Sequence, residues 1–245
     1  MRLAIHAGHT KQSGSAAGAS GYVHESIVDR QITKKVISIL RSRGHTVYDC
    51  TSEGNGVSDN LYRIVNKSNA HSVDLVVSIH LNCYNGKGHG TEVEVYDTSS
   101  KATKYAKKIA KNISALGFTN RGVKEMPYLY VLRHTNSPAL LIEAFFCDNK
   151  SDYKTFKEVG VTKIAAAIAN GIVTTSKKKK KSPKKYKYKA LYNMNVRKSK
   201  HGAVVGMVSK GKRITGSITG EWLKIGTGKY VRIKKGNKTY LRRMK

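Results

Sequence analysis

Through residue 175 the chain alternates short apolar runs with longer stripes of helical period; after residue 188 only short runs remain. RLAI (Arg2–Ile5) predicts a first strand that ends in a turn containing Gly8. From Glu25 to Arg43 the apolar positions Val28, Ile32, Val36, Ile39 and Leu40 recur at helical spacing, and Gly44 stands where such a helix would stop. HTVYD then predicts a strand, and Asn60–Ala70 a weaker helix. DLVVSIHL (Asp74–Leu81) is a continuous apolar run, the pattern of a central strand covered on both faces. GTEVEVYD (Gly90–Asp97) alternates as a half-buried strand. Tyr105, Ile109, Ile113 and Leu116 stripe the next helix, with Lys104, Lys107, Lys108 and Lys111 on its wet side. YLYVL predicts another strand, and ALLIEAFF (Ala139–Phe146) a buried one carrying a glutamate in its middle. Phe156, Ile164, Ala165, Ile168 and Ile172 fit a closing helix. Strands alternating with helices imply an α/β domain, a mainly parallel twisted sheet with flanking helices.

The later part has a different texture. AVVGMVS, RITGSI, EWLKI and KYVRI are short strands between glycine-containing turns, the pattern of a small all-β barrel. Between the two patterns lies TTSKKKKKSPKKYKYK, from Thr174 to Lys189. Its consecutive lysines repel one another and Ser182-Pro183 discourages a helix. The expected organisation is a catalytic domain over 1–175, a basic linker over 176–188 and a second domain over 189–245.

Composition adds three constraints. No run approaches the ~18 apolar residues of a transmembrane helix, so membrane insertion is not expected. The start, MRLAIHAGHT, has too short an apolar stretch for a signal peptide. Synthesis in the cytoplasm without a signal peptide is therefore expected, with release by another agent, of holin type, if the target is a cell wall. Cys50, Cys83 and Cys147 are an odd number without close pairing, which argues against a disulfide framework and against a zinc ribbon.

Charge sharpens the division. Residues 1–175 hold 22 Lys and Arg against 14 Asp and Glu, whereas the remaining 70 hold 24 against one, Glu221. A field of that kind steers a protein toward a polyanion. Nucleic acid and the anionic polymers of a Gram-positive wall are both physical targets.

In open α/β sheets ligands bind beyond the carboxyl ends of the strands. His9 follows the first predicted strand, His80 ends DLVVSIH, and Glu143 lies near the end of ALLIE. Glu25 starts the first long helix after the loop SGSAAGASG. Two imidazoles and one carboxylate make a zinc site with an open fourth position. The second glutamate can then take a proton from water and return it to a departing amine. Each residue alone is a weak signal. A carboxylate inside ALLIEAFF nevertheless needs either a job or a partner, such as Arg121 or Arg133.

AIHAGHT, Glu25 at a helix start, SIHLN, and RGVK…LYVLRHT…PALLIEAFFCDN together resemble the zinc-dependent N-acetylmuramoyl-L-alanine amidases of the Amidase_3 family. The spelling around Glu143 is similar to that of clostridial phage endolysins. The resemblance covers residues 1–175. It implies a Rossmann-like fold, one Zn2+ per chain, and cleavage of the amide between N-acetylmuramic acid and L-alanine of the peptidoglycan stem. It further implies His9, Glu25 and His80 as metal ligands and Glu143 as the catalytic glutamate, with Asn82, Asn149 and Arg121 as substrate-binding candidates. His6 stands where the family usually has an acidic residue, and Ala144-Phe145 where it usually has leucine-glycine.

NMNVRKS, VVGMVSKGKRI, GEWLKI and GKYVRI resemble a bacterial Src-homology-3-like wall-binding domain, which makes Trp222, Tyr192 and Tyr230 wall-binding candidates. Two rival readings are a basic nucleic-acid-binding protein without catalysis and a zinc peptidase cutting within the stem peptide. The first leaves the His and Glu quartet without a purpose, and no base-reading motif accompanies the charge.

Overall fold

The structure, a computed structural model, describes residues 1–11, 15–173 and 184–244. It divides into two units, Met1–Thr174 and Thr175–Lys245. In chain order the first unit holds β1 (Arg2–Ala7), α1 (Glu25–Ser42), β2 (Thr46–Asp49), α2 (Val57–Asn69), β3 (Leu75–Asn82) and β4 (Thr91–Val95). It continues with α3 (Thr103–Ser114), β5 (Asn120–Glu125), α4 (Tyr130–His134), β6 (Ala139–Phe146) and α5 (Lys150–Ile172).

The sheet order is β2-β1-β3-β6-β4-β5. Every pairing is parallel except β4 with β6. Only residues 83–90 separate β3 from β4, too few for the dozen or so residues of a parallel crossover. The chain therefore reverses, and the sheet is mixed.

Alternation along each strand sorts the side chains into two layers. Leu3 and Ile5, Val77 and Ile79, Val93 and Val95, and Leu140 and Ile142 face α1, α3 and α5 in the main core. Fully burying each such side chain contributes about 1.5–3 kcal/mol. Ala4, Val76 and Leu141 face the opposite side, where Leu132 covers them. Ile64, Val65 and Val131 join α2 to α4. By the same parity His6, His80, Glu92, Glu94 and Glu143 all belong to this second face.

α1 ends as expected at Gly44, whose φ is +84°. The Gly44 N–H donates to Arg41 O and the His45 N–H to Leu40 O, the paired closure that satisfies the last helical carbonyls. α5 is interrupted at Gly160.

Two expectations fail here. YLYVL is not a strand: after Pro127 the chain turns, and Tyr130–His134 is one helical turn that buries the neighbours Val131 and Leu132 in different clusters. The fifth strand is instead Asn120–Glu125. GTEVEVYD is not half-buried either, for all of Thr91–Val95 is buried. β4 lies between β6 and β5, and its glutamates turn inward rather than to solvent.

β3 and β6 run in register from Val76↔Ala139 to His80↔Glu143, then slip so that Asn82 faces Phe146. β6 thus carries an extra residue just after Glu143, a bulge of the kind that re-aims side chains beside functional sites.

The second unit is all-β. Its strands are β7 (Lys185–Ala190), β8 (Met194–Arg197), β9 (Val204–Val208), β10 (Arg213–Thr219), β11 (Trp222–Gly226) and β12 (Lys229–Arg232), followed by β13 (Lys234–Lys235), β14 (Lys238–Thr239) and β15 (Leu241–Arg243). Seven form an antiparallel sheet ordered β15-β7-β10-β11-β12-β8-β9, and β13 pairs with β14. Its core is small, centred on Tyr188, Met194, Val196, Leu223 and Val231. β7 begins inside the segment expected as linker, because KYKYKA alternates and buries Tyr188 and Ala190. Residues 176–183 of that linker lie outside the described residues.

Candidate active site

The site is organised around one carboxylate. Glu25 opens α1 and is 3% exposed. Its Oε1 lies 3.1 Å from His9 Nε2 and 3.1 Å from His80 Nδ1. The carboxylate is also fixed by the main chain: the Leu81 N–H donates to Oε1 at 3.0 Å and the Ala19 N–H to Oε2 at 2.8 Å. Burial alone would raise the Glu25 carboxyl, but the hydrogen bonds from His80 and His9 outweigh it and hold the group well below the usual range. Burial likewise opposes protonation of His9, and Glu25 more than offsets it, so the His9 imidazole is raised.

Backbone geometry brings the two rings together. His80 lies two residues before the end of β3, and His9 follows β1 in the adjacent strand's turn. The rings meet edge to face with centroids 5.0 Å apart. A Cβ on Gly8 would come within 2.2 Å of the His80 ring, so only glycine allows this approach. Arg30, buried, donates to His9 O at 2.6 Å and steadies the turn from α1.

Ligand atoms of His9, Glu25 and His80 lie within 4.8 Å of one another. Four donors around a zinc at ~2.05 Å are spaced ~3.3 Å apart, close to the observed 3.1 Å. The donor set and its spacing therefore fit a tetrahedral metal ion.

Glu143 lines the same cavity as this group, a space of about 530 Å³ that Glu94, Tyr128 and Asn82 also line. In register it lies between His80 on β3 and Glu92 on β4. Its Oε2 is enclosed and accepts no hydrogen bond among the described residues. Burial, followed by the charges of Glu25, Glu94 and Glu92, pushes its carboxyl well above the ordinary value. Glu94 is pushed up to about 7, first by burial and then by Glu92. Glu94→Gln removes one neighbouring negative charge. The acid limb of the pH–rate profile is expected to move to lower pH in that variant; an unmoved limb would separate Glu94 from the titration of Glu143.

Of the two salt-bridge partners considered for Glu143, Arg121 and Arg133, the first is committed elsewhere. Arg121 donates to Glu92 Oε2 at 2.8 Å and lies over the Phe146 ring. Asn82 donates to Glu92 Oε1 at 2.7 Å. Arg121, Asn82, Glu92 and Phe146 line an adjoining cavity of about 470 Å³. Asn149 caps α5, accepting from the Ser151 and Asp152 N–H groups and donating to Gly86 O. Its polar atoms hold the loop and the helix start. His6 is fully buried, its imidazole lowered to about 4 by that burial, and it does not join the three-ligand group. Cys83 also lies outside that group.

Sequence reasoning missed Glu92, Glu94 and Arg30. The alternation in GTEVEVYD was the available signal, since it sets both carboxylates on one face of a strand.

In the second unit Trp222 is buried, with Arg232 over its ring at 4.4 Å and His201 at its edge. It lines a polar cavity of about 500 Å³ with Asn195, Arg197 and Tyr240. Tyr192 is exposed beside Tyr240, with Lys238 over both rings. Tyr230 is half-buried under Lys224.

Comparison with known proteins places this arrangement in context. Residues 3–174 match the N-acetylmuramoyl-L-alanine amidase family. The endolysin of Bacillus phage SPP1 is 36% identical over 189 residues, covering 73% of this chain and 67% of its own length. The N-acetylmuramoyl-L-alanine amidase LytC of Bacillus subtilis is 32% identical over 175 residues, covering 69% and 34%. A Clostridium perfringens protein is 37% identical over 177 residues, 70% of this chain and 51% of its own. The chain thus spans about half the length of that relative and of a second from Clostridium perfringens. The solved catalytic domain of the CD27L endolysin targeting Clostridia Difficile has a TM-score of 0.66 at 32% identity, covering 71% of this chain and 97% of that one. With residues 3–174 matched, the chain belongs to the N-acetylmuramoyl-L-alanine amidase family.

Proposed function

We propose that this chain is a zinc-dependent endolysin. It hydrolyses the amide between N-acetylmuramic acid and L-alanine in the peptidoglycan of a Gram-positive wall. The observation that carries the reading is the convergence of His9, Glu25 and His80 on one cavity that Glu143, the cross-strand neighbour of His80, also lines.

His9, Glu25 and His80 would hold the zinc, which would supply Lewis acidity at the scissile carbonyl and at the attacking water. Glu143 accepts the proton of the attacking water. As the C–N bond breaks it returns the proton to the departing nitrogen. The products are a free lactyl carboxylate and a free L-alanine amine. Glu92 orients Asn82 and Arg121 at the rim, where they meet the stem peptide. Asn149 contributes through the loop it anchors rather than by touching substrate.

Identification of the new termini in digested wall tests the reading. Free N-terminal L-alanine is expected; new termini inside the stem would make the enzyme a peptidase instead. Chelation is expected to stop cleavage, and zinc to restore it.

The second unit serves as a Src-homology-3-like wall-binding module, with Trp222, Tyr192 and Tyr230 as its aromatic contacts. Its 24 basic residues against one acid also attract anionic wall polymers. Binding of the whole chain to purified walls is therefore expected to weaken at high salt, where exposed charges are screened. Trp222→Ala is expected to lower the salt-resistant fraction. Binding insensitive to both would remove this role.

A further inference from the structure

We propose that Cys83, Cys147 and Asp148 form a second metal site, for a thiophilic divalent cation such as zinc or cadmium. It goes beyond the amidase reading and does not depend on it. Both sulfurs and an Asp148 carboxylate oxygen lie within 4.8 Å of one another. Cys83 directly follows β3 and Cys147 directly follows β6, and the Cys147 N–H donates to Asn82 O at 2.8 Å, so two adjacent strand ends hold the thiols side by side. Asp148 is also fixed in place: its Oδ2 accepts from the Gly86 N–H at 2.7 Å and from the Tyr84 N–H at 3.1 Å.

Two sulfurs and one oxygen with an open fourth position are a donor set that zinc and its heavier congener accept. Sulfur donors around a zinc at ~2.3 Å are spaced ~3.8 Å apart, so a small closing movement at the exposed Cys83 completes the site. The cation binds by displacing both thiol protons to solvent, and no electron transfer is involved. In its absence burial, and then the Asp148 carboxylate, keep the Cys83 thiol protonated. Cys83 lines both the cavity of the three-ligand group and the adjoining cavity. A cation here therefore stiffens the wall between them.

Cadmium titration of the reduced full chain separates this site from the first, because only a thiolate site gives the ultraviolet sulfur-to-cadmium absorption. The wild type is expected to develop that absorption to saturation at one cation per chain, with two protons released. Glu25→Gln, which disables only the nitrogen-rich site, is expected to keep it in full. Cys83→Ser, at an exposed position that tolerates the change, is expected to lose at least half of the absorption and to bind at least about tenfold more weakly. Cys147→Ser should do the same. Absence of the band in the wild type, or an undiminished band in Cys83→Ser, overturns the site.

Discussion

Glu143→Ala is expected to lower wall cleavage by about 10²–10⁴-fold, the range usual for loss of a general acid–base. Metal content should stay at the wild-type value, since Glu143 is not among the three ligand groups. Stability should not fall either. The Glu143 Oε2 is enclosed without a hydrogen bond among the described residues, and the charges of Glu25, Glu94 and Glu92 bear on the carboxylate. Its pKa is raised on folding, so its stabilising contribution is complete below the ordinary carboxylate range and is lost as pH climbs through the raised value. The metal-free alanine variant should therefore gain on the wild type in melting temperature as pH increases. Cleavage assays, metal analysis and thermal melts across pH check the three parts. Full activity in the variant would overturn the mechanism.

Glu25→Gln is expected to have the second large effect, through a different cause. One Glu25 oxygen serves two imidazoles and the Leu81 N–H, and the other accepts from Ala19. An amide offers a single acceptor, so its NH2 must point at a backbone donor or at a ligand nitrogen. Metal affinity should fall by more than about 100-fold, beyond the loss typical of outer-shell groups. The unsatisfied donor should cost about 1–3 kcal/mol. The wild-type carboxyl is depressed on folding. Its contribution is present above the ordinary carboxylate range and fades as pH falls, so the gap between wild type and variant should narrow in acid. Metal analysis and denaturant melts at two pH values measure this. A variant with full metal content would remove Glu25 from the ligand set.

Much of this was legible in the sequence because period and parity are local properties. DLVVSIHL and ALLIEAFF announced central strands, with His80 and Glu143 near their carboxyl ends. α1 declared its end at Gly44. Pairing direction was less legible: nothing within β4 says that it runs against β6, since that follows from the shortness of residues 83–90. YLYVL misled because a single helical turn and a short strand share the same apolar run. Glu25 could be placed only by family resemblance, because its position depends on contacts to Leu81 and Ala19 that no periodicity encodes. The clustering of Cys83 with Cys147 was hidden for the same reason: 64 positions apart, they meet only through the pairing of β3 with β6.

The slip in β6 after Glu143 divides that strand into two phases. Upstream, side chains are locked to the register of β3 that sets Glu143 opposite His80. Downstream, the count restarts: Phe145 enters the main core, and Phe146 turns to the rim beneath Arg121. The Glu143 carboxylate and the residues that follow it therefore answer to different registers. Phe146, which lines the neighbouring cavity, thus stands beyond the slip, so the wall of that cavity and the register that sets Glu143 opposite His80 belong to different phases of one strand.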